Sequence, residues 1–152
     1  MMSSRSVLAA VLSASIAVAA CGGSDSTTST DPTATPRVEA VDAAGIRVVE
    51  PEQAAATIDD PPDDLVILDV RTQAEFDEGH IEGAVILDFY RDDFAVELAK
   101  FDPEVPYVLY CRSGNRSSGT REIMADLGFE SVEDVDGGIV GWQEAGLPVV
   151  TG

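Results

Sequence analysis

The sequence predicts an α/β fold in which helices flank a five-stranded parallel sheet, and three observations support this prediction. Short apolar runs rich in β-branched residues recur along the chain, as expected of strands buried on both faces. Segments with helical patterns separate these runs, and such alternation favours parallel pairing. The region that carries the pattern, residues 45–152, is long enough for one domain with a single core.

Five segments are candidate strands, and three of them are strong because their apolar runs are almost continuous. The strong candidates are 65–70 (LVILDV), 84–89 (AVILDF) and 107–111 (YVLYC). The weaker candidates, which bring the number of strands to five, are 46–49 (IRVV) and 131–135 (SVEDV).

Helix start signals lie between these strands. Pro51 suits the first position of a helix, which predicts a helix over 51–58. Thr72 and Glu75 have the spacing of a capping box, in which each side chain satisfies a backbone N–H of the other residue. Each signal follows a candidate strand directly.

A third helix is predicted over 91–101 from its charge distribution. Asp92 and Asp93 lie in the predicted first turn and Lys100 lies in the last, which complements the helix dipole. The side chains expected on its buried face are Phe94, Leu98 and Phe101.

A fourth helix is predicted within 116–129 from its apolar spacing. We expect it to begin near Ser117 and to end at Gly128, because glycine is the usual residue at helix C-termini. The side chains expected on its buried face are Thr120, Ile123, Met124 and Leu127.

The N-terminal residues have the features of a secretory signal peptide. A short polar start with Arg5 precedes the apolar segment 7–20, which is shorter than the roughly 20 residues that span a bilayer. Residues 18–21 (VAAC) resemble the lipobox of bacterial lipoproteins, which implies cleavage before Cys21 and a lipid on its thiol. We therefore expect residues 1–20 to be a lipoprotein signal peptide and the mature protein to be anchored extracytoplasmically to the cell membrane.

The segment 21–44 is predicted to be the lipidated N-terminus and a flexible, disordered linker to the domain at 45–152. Serine, threonine, aspartate, proline, glycine and alanine dominate it. The whole chain has 28 acidic and nine basic residues, giving a net charge of −19. Such a charge repels nucleic acid and anionic lipid, so the sequence predicts no nucleic-acid partner.

Cys111 is the candidate nucleophile because of the residues that follow it. An apolar strand ends at this cysteine, and a loop rich in glycine and serine then carries Arg112 and Arg116 towards the next helix. Ligands bind beyond the carboxyl ends of parallel strands, where loop N–H groups and the helix dipole converge on the sulfur. Gly114 allows the loop to close tightly. These surroundings favour a thiolate and an anionic substrate.

Three stretches resemble the signature regions of the rhodanese-like (thiosulfate sulfurtransferase) domain: LDVRTQAEFDEGHIEGAVIL, YCRSGNRSSGT and VDGGIVGWQEAGLPV. The resemblance covers residues 46–150 and implies a five-stranded parallel sheet. Single-domain members have a six-residue loop from cysteine to arginine, which Cys111–Arg116 matches. Phosphatases and arsenate reductases of the same fold have one residue more, whereas here the next residue is Ser117. The shorter loop fits around one extra sulfur, so the resemblance favours sulfur chemistry.

The resemblance also implies a mechanism, in which Cys111 takes sulfur from thiosulfate or another persulfide and holds it as a persulfide. A thiol, cyanide or a partner protein then removes this sulfur, and no metal or organic cofactor is needed. The expected substrate- and anion-binding loop comprises Arg112, Ser113, Gly114, Asn115, Arg116 and Ser117.

Other polar and aromatic residues are expected to have structural roles. Asp69 and Arg71 flank a strand end and are expected to form an ion pair or to bond the neighbouring loop. His80 is expected to be architectural, Arg121 to lie on the surface and Trp142 to lie in the core.

Two other classes of function remain open from the sequence. The chain could be a thiol redox or sensor protein that acts through Cys111, or a docking module whose thiol is incidental. A redox role needs a second thiol from a partner, because the chain has two cysteines and lipidation would consume Cys21.

Overall fold

The computed structural model describes residues 45–152, which form one five-stranded sheet with all neighbouring strands parallel. The spatial order of the strands is β1-β5-β4-β2-β3. The predicted signal peptide, Cys21 and linker lie outside the described residues. The strands are β1 (Ile46–Val49), β2 (Val66–Asp69), β3 (Val85–Ile86), β4 (Tyr107–Tyr110) and β5 (Val132–Val135).

Five helices connect or follow the strands, and they confirm the predicted α/β fold. Pro51 opens the first helix, and the capping box of Thr72 and Glu75 opens the second, both as predicted. The helices are α1 (Pro51–Asp59), α2 (Gln73–Glu78), α3 (Phe94–Leu98), α4 (Asn115–Asp126) and α5 (Gly138–Glu144). No helix within residues 45–152 has both the length and the apolarity needed to cross a membrane.

The sheet has a hydrophobic core on each face. Successive residues of the central strands alternate between the two cores, because side chains of a strand point to opposite faces in turn. Leu68 and Leu109 belong to the core under α3 and α4, whereas Ile67 and Val108 belong to the core under α1 and α5. Trp142 lies in the second core, as expected, and donates its indole N–H to a backbone carbonyl.

The strand predicted over 84–89 is much shorter in the structure. Only Val85 and Ile86 pair with β2, at the free edge of the sheet. Val85 is 48% exposed, so the expectation of burial on both faces is wrong for this strand. A strand at the edge of a sheet pairs with only one neighbour, so fewer backbone hydrogen bonds extend it. The rest of the apolar run forms a loop that leads to the core residue Phe94.

The helix predicted over 91–101 is also shorter, and its predicted complement to the helix dipole is wrong. α3 begins after Asp93, whose carboxylate pairs with Arg91 instead of capping the helix. Lys100 lies beyond the end of α3, where it pairs with Glu97. The expected buried face is present, since Phe94 and Leu98 are buried and Phe101 packs against them.

α4 has the predicted buried face except at its end. Thr120 and Met124 are buried, but Leu127 is 37% exposed. Gly128 ends the helix with a positive φ of 83°, and the N–H of Phe129 returns to the carbonyl of Met124 in a Schellman motif. Phe129 then enters the core in the place expected for Leu127.

Candidate active site

Cys111 follows β4 directly, at the carboxyl end of the strand that lies between β2 and β5. The loop after it is short, because α4 begins at Asn115, two residues before the predicted start. The backbone N–H groups of Ile139 and Val140 donate to the carbonyl oxygens of Cys111 and Arg112 at 2.9 and 3.2 Å. The first turn of α5 therefore holds the beginning of the loop in place.

Gly137 and Gly138 make this contact between α5 and the loop possible. Both have positive φ angles, 66° and 58°, which side-chain-bearing residues rarely adopt. A Cβ atom at Gly138 would overlap the carbonyl oxygen of Cys111 and lie 2.7 Å from the carbonyl carbon of Arg112. The glycine pair thus serves the geometry of the cysteine loop.

The sulfur of Cys111 lies at the N-terminus of α4, in contact with polar groups. It accepts the backbone N–H of Gly114 at 3.1 Å, and the Ser117 hydroxyl oxygen lies 3.6 Å away. Gly114 has a φ of 95°, a left-handed conformation that glycine adopts without strain. Cys111 is 1% exposed. A backbone N–H donor and the positive end of a helix dipole are groups that stabilise an anion bound next to them.

Arg116, predicted to belong to the substrate- and anion-binding loop, forms an ion pair with an acid. Its two terminal guanidinium nitrogens each lie 2.7 Å from a carboxylate oxygen of Glu75. This bidentate contact lowers the pKa of Glu75 to about 2 and raises that of Arg116. The sequence predicts only a capping role for Glu75. In the structure Glu75 lies in the first turn of α2, at the carboxyl ends of the strands, where Cys111 also lies.

Within residues 45–152, Arg112 is a cation near the carboxyl ends of the strands that forms no ion pair. It is exposed, and within residues 45–152 it has no acidic partner within 4.0 Å. It lines a cleft of about 310 Å³ beside the cysteine loop. The other residues that line this cleft are Arg71, Glu75, Glu78, Gly79, Ile139, Val140 and Gln143. The lysines and arginines of residues 45–152 that do form ion pairs are Arg47, Arg71, Arg91, Lys100, Arg116 and Arg121.

The expected ion pair of Asp69 and Arg71 is present and buried. The shortest of its contacts is 2.6 Å, and Arg71 also donates to the carbonyl of Gly79 at 2.8 Å. The guanidinium lies over the ring of Tyr110, whose hydroxyl accepts the N–H of Ile81 at 3.2 Å. Burial raises the pKa of Tyr110, which keeps its hydroxyl neutral. These contacts connect the ends of β2 and β4 to the C-terminus of α2.

His80 lies away from the sulfur and has the expected architectural contacts. Its backbone bridges to Val150, its Nδ1 lies 3.0 Å from the carbonyl oxygen of Phe76, and its ring stacks on that phenylalanine at 3.7 Å. Arg121, expected on the surface, is 26% exposed at its side chain and pairs with Asp134 at 2.9 Å. Asp134 is a buried acid that the sequence analysis did not single out.

Comparison with known proteins places this fold and site in a family. Residues 50–145 match the rhodanese-like domain, and the chain belongs to this family. Among curated relatives, tRNA uridine(34) hydroxylases of Yersinia pestis and Yersinia enterocolitica are 34% identical over 106 residues, which is 64% of this chain. The aligned region covers only 29% and 30% of those relatives, so the likeness is confined to part of their length.

Solved structures show the same fold. A rhodanese-related protein of Thermoplasma volcanium aligns with a TM-score of 0.59 and 27% identity, covering 68% of this chain and 96% of its own. A protein of M. tuberculosis aligns with a TM-score of 0.59 and 28% identity, covering 69% of this chain and 97% of its own.

Proposed function

We propose that this protein is a sulfurtransferase that carries sulfane sulfur on Cys111 as a persulfide. The observation that carries the proposal is the position of the sulfur, which accepts the N–H of Gly114 and lies beside the hydroxyl of Ser117. Preorganised donors of this kind stabilise an anion formed during the reaction. Membership of the rhodanese-like family supports the same chemistry.

The proposed reaction has two steps. The Cys111 thiolate attacks the outer sulfur of thiosulfate; the new S–S bond forms as the old one breaks, and sulfite leaves with the bonding electron pair. With a small persulfide as donor, the leaving group is its thiolate. In the second step an acceptor attacks the outer sulfur of the Cys111 persulfide and restores the thiolate. The acceptor is cyanide, which becomes thiocyanate, or a thiol of a small molecule or protein.

Two features of the loop favour sulfur over a phosphate or arsenate substrate. The loop that runs from the nucleophile to the arginine, Cys111–Arg116, has six residues, which leaves space for one extra sulfur atom. Arg116 is bound on both terminal nitrogens by Glu75, so its charge is directed to α2 and not to a tetrahedral anion above the loop.

Arg112 is the proposed receptor for the charged part of the donor. It is exposed, lines the cleft and forms no ion pair within residues 45–152. A guanidinium binds sulfonate-like and carboxylate groups through paired N–H donors. Thiosulfate and small organic persulfides both offer such an anionic group.

The proposed location is the outer face of the cell membrane. Support comes from the sequence alone: the apolar segment 7–20, the VAAC motif that ends in Cys21, and the polar linker to residue 44. A lipid on Cys21 would hold the domain at the membrane, which the net charge of −19 of the full chain would otherwise disfavour. The same negative charge repels the phosphate backbone of nucleic acid, so a tRNA substrate is not proposed, although the hydroxylases named above act on tRNA.

Thiocyanate formation from thiosulfate and cyanide tests the proposed reaction. The wild-type chain is expected to turn over, and Cys111→Ser is expected to be inactive while keeping its fold by circular dichroism. Turnover that survives in Cys111→Ser would exclude the persulfide mechanism. An inactive wild-type chain whose Cys111 still reacts with an alkylating reagent would favour the redox, sensor or docking functions.

A further inference from the structure

The cleft beside the cysteine loop has more lining groups than thiosulfate needs. It is lined by residues of α2, of α5 and of the loop, and the reaction described above uses only Arg112 among them. Its volume of about 310 Å³ lies at the lower end of the range for small-ligand sites. Thiosulfate is a small ion that fills a minor part of this space, which leaves room for the carrier of a larger sulfur donor.

The charges in this cleft are only partly neutralised by the protein. Of the four charged residues in its lining, Arg71 and Glu75 form ion pairs with residues that do not line it. The other two, Arg112 and Glu78, are exposed, and neither forms an ion pair in the described domain, residues 45–152. The cleft therefore offers one cation and one anion to a ligand.

The two helices that line the cleft place these groups on a common surface. Glu75 and Glu78 are three positions apart on α2, so both lie on one side of that helix. Ile139 and Gln143 are four positions apart on α5 and share one side of it in the same way. Val140, which is 38% exposed, adds apolar surface. The lining thus combines opposite charges with a side-chain amide and apolar groups.

We propose that this cleft binds persulfides whose carrier bears both an ammonium group and a carboxylate, as the persulfides of amino acids and short peptides do. Arg112 binds the carboxylate through paired N–H donors, and Glu78 binds the ammonium group. Thiosulfate offers no cation, so the charge of Glu78 repels it. The inference deepens the proposed function and rests on it for the role of Cys111 as the residue that receives the sulfur.

The transfer from such a donor conserves atoms and electrons. The Cys111 thiolate attacks the outer sulfur of the persulfide, and a new S–S bond forms as the S–S bond to the carrier breaks. The carrier sulfur leaves with the bonding electron pair and takes the persulfide proton. The products are the free thiol of the carrier and the anionic persulfide of Cys111, so the step needs no oxidant or reductant.

The first test measures binding with probes that cannot transfer sulfur. S-Methylcysteine is the parent probe, because its methyl group stands in place of the outer sulfur of cysteine persulfide. N-Acetyl-S-methylcysteine lacks the ammonium group, and the ethyl ester of S-methylcysteine lacks the carboxylate. Each probe is titrated into the isotope-labelled full chain, and Kd is taken from the NMR signals of the backbone N–H groups of Gly79, Arg112 and Val140.

S-Methylcysteine is expected to bind about three- to fivefold more tightly than either modified probe, which is the upper part of the range for an exposed ion pair. Glu78→Gln is expected to abolish the preference over the N-acetyl probe, and Arg112→Gln the preference over the ester. The matched control is Glu122→Gln, which removes the same charge from an exposed position of α4 outside this cleft. It is expected to keep both preferences, which accounts for the long-range effect of net charge.

Three results would overturn the inference. The first is equal affinity of the wild-type chain for S-methylcysteine and its N-acetyl form. The second is a preference that Glu78→Gln retains, and the third is the absence of any signal change in the cleft with S-methylcysteine. None of these results depends on whether Cys111 accepts sulfur.

The rate of sulfur loading separates this inference from the proposed function. Loading of Cys111 is followed by intact mass with cysteine persulfide and with thiosulfate. Glu78→Gln is expected to slow loading by cysteine persulfide about three- to fivefold and not to slow loading by thiosulfate. Loading of wild type and Glu78→Gln at equal rates by both donors would refute the selectivity and leave sulfur transfer in place. The expected binding preferences without loading by either donor would refute sulfur transfer and support recognition of the two charged groups.

Discussion

The carboxylate of Glu75 links two parts of the site that the sequence presents separately. It accepts from the backbone N–H and hydroxyl of Thr72 and from both terminal nitrogens of Arg116. The capping box could be predicted because it depends on spacing within a few residues. The pair with Arg116 could not, because it joins residues 41 positions apart.

Glu75→Gln is expected to destabilise the fold by about 1–2 kcal/mol at pH 7, because it removes a charge-assisted pair that is largely shielded from water. The pKa of Glu75 is lowered from 4.5 to about 2. The stabilisation is therefore fully present above pH 4.5 and is lost as the pH falls towards 2. The free energy of unfolding, measured in urea at several pH values, checks this.

The matched control for this prediction is Glu82→Gln, which changes the same functional group at an exposed position. Its free energy of unfolding is expected to stay within about 0.5 kcal/mol of wild type. Equal losses in the two variants, or a Glu75→Gln loss that persists below pH 2, would contradict the assigned role of the pair.

Arg112→Gln is expected to lower kcat/KM for thiosulfate about tenfold, because the donor loses its charged contact in the cleft that Arg112 lines. Lys100→Gln is the control, since it removes the same charge at an exposed position beyond the end of α3. Steady-state kinetics of both variants checks the prediction. Equal values for the two variants would show that Arg112 is not the anion receptor.

Among the secondary-structure elements, those with local signals could be predicted and those set by their neighbours could not. Pro51 and the Schellman glycine Gly128 mark the ends of helices through their own backbone preferences. β3 is shorter than predicted because it lies at the edge of the sheet and pairs only with β2. α3 begins later than predicted, after Asp93, whose carboxylate pairs with Arg91 instead of capping the helix. The burial of β2 and β4 on both faces of the sheet follows from their apolar runs.

Gly138→Ala is expected to destabilise the fold by about 3 kcal/mol or more, because a Cβ at this position overlaps the backbone of the cysteine loop. Gly146→Ala is the control that distinguishes the effect of steric overlap from the effect of backbone strain. Its φ of 75° is equally unfavourable for alanine, but a Cβ there meets no atom within 4 Å. The control is expected to lose about 1–2 kcal/mol in urea unfolding. Equal losses would show that strain alone requires glycine at 138.

The whole molecule has an excess of acidic residues, although its site is proposed to accept anions. The net charge of −19 repels thiosulfate at long range, whereas Arg112 attracts it at the cleft. Composition alone shows this excess. Only the folded domain shows that Arg112 forms no ion pair with the acids of residues 45–152.

Salt is therefore expected to accelerate the reaction of Cys111 with thiosulfate, about two- to fivefold between about 0.02 and 0.15 M ionic strength, because it screens the repulsion. Neutral iodoacetamide is the control reagent, and its rate is expected to be insensitive to salt. Stopped-flow measurements check both rates. A thiosulfate rate that falls with salt would mean that the local attraction of Arg112 outweighs the net charge.

The intact mass of the protein after incubation with thiosulfate distinguishes a persulfide on Cys111 from an unmodified thiol. A gain of one sulfur atom on Cys111 is expected, which cyanide or a dithiol removes and which Cys111→Ser does not show. An unchanged mass, with a thiol that still reacts with iodoacetamide, would contradict a persulfide on Cys111 and with it the proposed sulfur transfer.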